Sequence, residues 1–216
     1  VSTAGMQHAP GRHAPLRSAT PSRSAYEMRP LCTDAVRAEA SALVEDRLGW
    51  LARRGLPAPA RGDIPALFRD DEHESAGLFE DDILLGCLIL NRQPNLAHWG
   101  TAGAGPSLFL DHVHTLPGRS DDIVRLITLW ASDHAARLGL PHVRAEAPAR
   151  HDLSVDPIAR FLDRLKHMGW EIRGTGQCTN GERTARLELR AEHRHGLTHL
   201  IRCTIPLPPG TDRSAS

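Results

Sequence analysis

Within the apolar run Phe109 to Leu116 the chain carries Asp111-His112-Val113-His114. These residue types can exchange protons or bind a metal ion. On a β-strand, alternation puts His112 and His114 on one face and Asp111 on the other, unless a bulge brings Asp111 round. Two histidines at that spacing can share one metal ion, and His193, His195 and His199 near Cys203 raise the same possibility. Neither set has a third or fourth ligand at a familiar metal spacing, so the expected chemistry uses no metal. The acidic run Asp70, Asp71, Glu72 and Glu74 can attract a cationic substrate. Just after the strand, Ser120 is a good helix N-cap, and Asp121 and Asp122 suit the positive end of a helix dipole.

The elements that hold these groups can be read from periodicity. Thr33 and Asp34 cap a helix in which Val36, Ala40, Leu43, Val44, Leu48 and Leu51 recur at helical spacing until Gly55. Ile64 to Phe68 forms a short helical turn. Ala76 to Glu80 and Ile83 to Asn91 form a hairpin about Asp81-Asp82, and the second strand is apolar on both faces, as a central strand should be. After a loop from Arg92 to Pro106, Ser107 to Leu116 is a strand, Asp121 to Leu138 a helix ended by Gly139, and His142 to Ala147 a strand. That strand–helix–strand unit requires parallel pairing through a right-handed crossover. Pro157 to Met168 is the last helix, and Trp170 to Thr175 pairs with Thr184 to Leu189. The fold class is α/β (α+β): a mixed, mostly antiparallel central sheet with helices on both faces. Residues 1–30 lack apolar periodicity and read as a disordered tail, 31–192 as one domain, and 193–216 as a C-terminal extension able to add an edge strand.

Composition narrows the partners. Lys+Arg and Asp+Glu balance at 26 each, and Lys166 is the only lysine, a bias expected of a GC-rich bacterial genome. No basic stripe interleaved with aromatics marks a nucleic-acid face. No run reaches transmembrane length. Cys32, Cys87, Cys178 and Cys203 are scattered without a C-x-x-C pair, which fits a reducing cytoplasm and a protein without a disulfide framework. Cys87, inside an apolar strand, reads as a small buried hydrophobe.

The element order, with residues at particular spacings, resembles the GNAT superfamily of acyl-CoA-dependent acetyltransferases over roughly residues 34 to 190. Trp50-Leu51-Ala52-Arg53-Arg54-Gly55 matches the Trp-x-x-x-x-Gly stretch that precedes the family's sheet. Gly86 and Trp99 fall where the family places a strand glycine and a tryptophan. Phe109 to Thr115 is similar to its central strand. The family's loop, [QR]-x-x-G-x-[GA], is followed by Trp eleven positions after its first residue. Anchored on Trp130, that register starts at Arg119 and puts Gly139 at the helix-ending glycine. Lys166-His167-Met168-Gly169-Trp170 is similar to the junction closing the last helix.

The resemblance implies acyl transfer, N-acetylation above all, from acetyl-CoA or another acyl-CoA to a small amine. The backbone of Val113 and Thr115 would hold the pantetheine arm. The segment Gly118, Arg119, Ser120, Asp122, Ile123 and Val124 would meet the phosphates at a helix N-terminus. Asp111, His112 or His114 would take the proton from the amine, with Asp111 at the position held by histidine in similar sequences. Two departures bear on this. Asp122 and Val124 replace loop glycine or alanine, and a carboxylate about 5 Å from a phosphate charge costs about 2 kcal/mol at an effective dielectric near 30. Arg164 and Leu165 fall where the family's tyrosine pair lies, and the only tyrosine is Tyr26. Two alternatives stay open: transfer from a carrier-protein thioester, which bears fewer phosphate charges, and a non-catalytic binding or regulatory module. A homodimer is compatible with either.

Overall fold

The computed structural model describes residues 24–59, 62–150, 153 and 157–207. Their order is β1 (Tyr26–Pro30), α1 (Asp34–Arg53), α2 (Ile64–Arg69), β2 (Ser75–Glu80), β3 (Ile83–Asn91), β4 (Ser107–Thr115), α3 (Ser120–Arg137), β5 (His142–Pro148), α4 (Ala159–His167), β6 (Trp170–Gln177), β7 (Arg183–Arg190) and β8 (Ile201–Cys203). One sheet runs in the order β6-β7-β5-β4-β3-β2-β1-β8. Only β4–β5 and β1–β8 are parallel. The mixed, mostly antiparallel sheet read from the sequence is the one observed.

Two apolar layers sandwich the sheet. On one face Ala40, Leu43 and Val44 of α1 and Ile64 and Phe68 of α2 pack on Phe79, Leu84, Cys87 and Ile89. On the other, Ile123, Ile127 and Trp130 of α3 and Leu162 and Leu165 of α4 pack on Leu88, Leu110, Val143 and Leu187. The alternation of β3 therefore feeds both layers, which is why its sequence is apolar on both sides. Thr33 caps α1 by accepting the Val36 amide at 3.3 Å, as its residue type predicts.

Three local expectations need correction. Tyr26–Pro30, read as part of a tail over residues 1–30, is a strand paired antiparallel with β2; only Met28 of its five residues is buried, so alternation gives almost no signal. Residues 1–23 and 208–216 lie outside the described set. The segment 92–106 contains a 3-10 turn at Ala97–Gly103. Ser120 is the first residue of α3 rather than its cap: Arg119 occupies the capping position without a side-chain bond, delivered there by the left-handed turn at Gly118, φ 91°.

Candidate active site

β4 and β5 pair from Ser107↔His142 to Leu110↔Ala145 and no further. Beyond that point β4 continues against β3 and β5 against β7, so the two parallel strands fork. The β4 edge from Asp111 to Thr115 is left without a strand partner on the β5 side. Val113, 36% exposed, is the one large apolar side chain of β4 turned to solvent.

The fork coincides with a bulge. Cys87 pairs with His114 and Ile89 with Asp111, so β4 carries one residue more than β3 over this stretch. The extra residue is His112, at φ 47°. Its effect is to shift alternation by one place. Phe109, two before Asp111, packs with Leu96 and Trp99; His114 packs edge-on to Phe68 of α2, ring centroids 6.3 Å apart. Asp111 and His114 therefore share the α1/α2 face, whereas simple alternation would have separated them. His112 closes the group: its amide donates to Asp111 Oδ1 at 2.9 Å and its Nε2 lies 3.6 Å from the same oxygen.

The three candidates differ in what they can do. His114 is buried and its Nε2 has no hydrogen-bond partner. Burial, helped by the nearby charges of His112 and Arg47, pushes its pKa down to about 3. It stays neutral at ordinary pH and is poorly matched to general-base work there. Asp111 and His112 keep contact with solvent, their side chains 49% and 23% exposed, and form a carboxylate–imidazole pair at the mouth of the fork. Gly86, opposite Thr115, keeps this part of β4 close: a Cβ there would lie 2.9 Å from the His114 carbonyl oxygen and 3.1 Å from Ile123.

The turn from β4 into α3 satisfies its own charges. Arg119 Nη1 lies 2.8 Å from Glu80 Oε2, and Tyr26 hydrogen-bonds the same carboxylate, which these two partners hold below the usual carboxylate range. The tyrosine therefore sits on β1, three strands from β4, and not at the fork. Asp121 pairs with Arg164 Nε at 3.2 Å. Asp122 is exposed in the first turn of α3 with no ion pair among the described residues. Ile123 is buried and Val124 packs partly against the core. Thr115 is buried; of Arg164 and Leu165, which stand at the family's tyrosine-pair positions, Arg164 bonds Asp121 and Leu165 is a core residue of α4.

Sequence reading missed Glu146. It follows Ala145 on β5, at the point where the fork opens, and its Oε1 receives the Trp99 indole N–H at 2.6 Å and lies 2.7 Å from His98 Nε2. The polar alternation Arg144, Glu146 among Val143, Ala145 and Ala147 was its one signal. Arg144 is buried against Glu188 at 2.8 Å and donates to the carbonyls of Gly103 and Ala104, each at 3.0 Å, which fixes the 3-10 turn that carries His98 and Trp99. Beside His98, a cavity of about 530 Å³ opens toward Gln177 and Cys178 of the β6–β7 hairpin and Arg186.

The acidic run precedes β2, whose first residue, Ser75, pairs with Ile89; Ile89 is in turn the partner of Asp111, two strands away. Glu74 there forms an ion pair with Arg92. Among the described residues no group of three or more His, Cys, Asp or Glu could hold a metal ion, and no helix is long and apolar enough to cross a membrane. The four cysteines are free, and burial pushes the Cys87 thiol up.

No protein-family model matches the chain, and no curated protein matches it. Solved structures do. A GNAT-family acetyltransferase from Streptococcus agalactiae 2603 aligns with a TM-score of 0.58 at 12% identity, over 77% of this chain and 96% of its own. An N-acetyltransferase from Staphylococcus aureus Mu50 aligns at 0.54 and 10% identity, over 77% and 97%. An N-acyl amino acid synthase from uncultured soil microbes aligns at 0.51 and 13% identity, over 77% and 91%. With its forked β4–β5 pair, bulged β4 and strand order, this chain has the fold of the GNAT superfamily.

Proposed function

We propose that the chain is an acyltransferase that moves an acyl group, acetyl first among the candidates, from an acyl thioester to a small amine. The observation that carries this reading is the unpartnered β4 edge from Asp111 to Thr115 beside the diverging β5. An extended arm containing amides, such as pantetheine, adds to such an edge as a strand would, using the backbone of Val113 and Thr115. The thioester carbon then lies near the bulge. The amine nitrogen attacks it, the C–S bond breaks, and the nitrogen's proton passes to Asp111 or His112, directly or through water. No tyrosine is in place to protonate the sulfur, but a thiol pKa near about 8.5 makes the thiolate a tolerable leaving group.

A second reading rests on a specific observation. Arg119 is engaged by Glu80, and Asp122 adds an unpaired carboxylate at the helix N-terminus. That arrangement favours a GNAT-like binding or regulatory module, or a carrier-protein thioester with fewer phosphate charges. Calorimetric titration with acetyl-CoA at low and moderate salt decides. Micromolar binding followed by thiol release with an amine supports acyl transfer from CoA. Absence of heat, with no thermal shift at millimolar acetyl-CoA, favours the second reading.

A further inference from the structure

Trp50, near the C-terminal end of α1, is flanked by two guanidiniums: Arg47 lies 4.4 Å and Arg54 4.0 Å from its ring centre. Stacking on an indole stabilises one cation, but two on the same ring repel each other, and neither forms an ion pair among the described residues; the one carboxylate whose charge reaches Arg47 is Asp121, at the start of α3, and it is already bonded to Arg164. Arg47 Nη1 is buried with no hydrogen-bond partner. A buried donor of a charged group left without a partner is costly, which favours any ligand that can supply one.

The position of this pair is informative. α1 packs across β3 and β4 on the face that carries Asp111 and His114, opposite α3. Arg47 is close enough to His114 for its charge to depress the imidazole, and His114 Nε2 is itself a buried orphan. On the far side of the fork, Arg150, two residues past β5, donates to the carbonyls of Gly55 and Leu56 at 3.2 and 3.4 Å. That bond ties the end of α1 across the opening. Arg47 thus lies within electrostatic reach of both His114 on β4 and Asp121 at the start of α3, with Arg54 beside it on Trp50.

From this juxtaposition of two guanidiniums without ion pairs on one indole with His114, which shares its face of β4 with Asp111, we infer that the acceptor amine carries a carboxylate, received by Arg47 with Arg54. This rests on the acyl-transfer reading. Arginine suits the role because its planar donor fork matches a carboxylate in two parallel bonds.

The test compares free amino acids with their amides as acceptors from acetyl-CoA, using the full chain and reading thiol release, alongside calorimetric affinity for acetyl-CoA. The expected result is preference for the acids in kcat/KM, and a fall in that acid-to-amide ratio of about tenfold in Arg47→Gln, with acetyl-CoA affinity not weakened. Arg47→Lys keeps the charge and the packed stem but not the fork, and should fall between; it carries the test if Arg47→Gln does not fold. A wild-type chain indifferent to the carboxylate overturns the inference while leaving acyl transfer intact. So does Arg47→Gln weakening acetyl-CoA instead, which would assign the cations to the cofactor's phosphates. If no transfer occurs at all, the same acids and amides are titrated against the 15N-labelled arginine side chains. A shift of the Arg47 resonance with the acids alone sustains carboxylate recognition and fails only the enzyme reading; no shift at millimolar acid overturns the recognition as well.

Discussion

Arg119 of the β4–α3 turn is held by Glu80, the last residue of β2, across 2.8 Å. A cation placed to meet phosphates is thus engaged by the protein's own carboxylate, and Tyr26 anchors that carboxylate from β1. Substituting Glu80→Gln removes the competing charge. Acetyl-CoA should then bind several-fold more tightly at low salt, with the gain shrinking as salt rises. Calorimetry at two ionic strengths checks this, and equal affinity in both proteins would place Arg119 outside any phosphate site.

Asp122 poses a separate electrostatic obstacle in the first turn of α3. Asp122→Gly with Val124→Gly should strengthen acetyl-CoA binding about tenfold, the size expected for removing one nearby carboxylate. The same change should lower the melting temperature, because each helical glycine costs about 1 kcal/mol and an N-terminal acid is worth about 0.3–1 kcal/mol to the dipole. Measuring affinity and melting together separates the two effects. A variant that loses stability without gaining affinity would show that the loop does not approach the cofactor.

Acid should destabilise the protein through two buried histidines. Burial pushes His114 to about 3 and His134 to about 4, while an unfolded histidine titrates near about 6.5. Between those values the unfolded chain binds more protons, so stability is full above the unfolded pKa and is lost as pH falls toward the folded ones. Each histidine contributes a slope of up to about 1.4 kcal/mol per pH unit. Denaturation measured across this window should show a flatter acid limb in the His114→Asn, His134→Gln double variant; an unchanged slope would assign the acid sensitivity to other groups.

Gly86→Ala tests the close approach beneath the bulge. The added methyl would meet the His114 carbonyl oxygen at 2.9 Å, and a backbone atom cannot rotate aside. The expected loss is about 1–3 kcal/mol of unfolding free energy, read by urea titration. A neutral result would mean that β4 shifts away without strain, and the geometry at His114 would then be more forgiving than its packing suggests.

Much of the fold was legible because it is written locally. The Thr33 cap, the doubly apolar β3 and the Gly139 stop each follow from a few adjacent residues. What was not legible depends on distant partners. β1 has a single buried side chain, Met28, and is a strand only because β2 and β8 flank it. A bulge that brings Asp111 round could be entertained, and histidine is among the types enriched at positive φ, but its place at His112 is set by register against β3, which no local pattern fixes. Arg119 could be placed at the loop from spacing, but its engagement by Glu80 joins residues 39 apart in sequence. Arg47 gave no signal either, because an arginine on an amphipathic helix is ordinary until its buried, unbonded Nη1 is seen.

The parallel pairing of β8 with β1 joins Met28 to Cys203, and the neighbouring bond from Ser24 to Thr198 spans 174 positions. A chain emerging from the ribosome in order completes β1 to β7 before the strand that covers β1 exists. Throughout that interval the outer rim of β1 offers unpaired amides and carbonyls to any extended neighbour, the exposure that leads strands of different molecules to stick. Closing so long a loop costs entropy that grows only slowly with its length, and Ile201 and Ile205 are buried in the core once it closes. β8 has a protective value as well: it takes the place on β1 that a second nascent chain would otherwise fill.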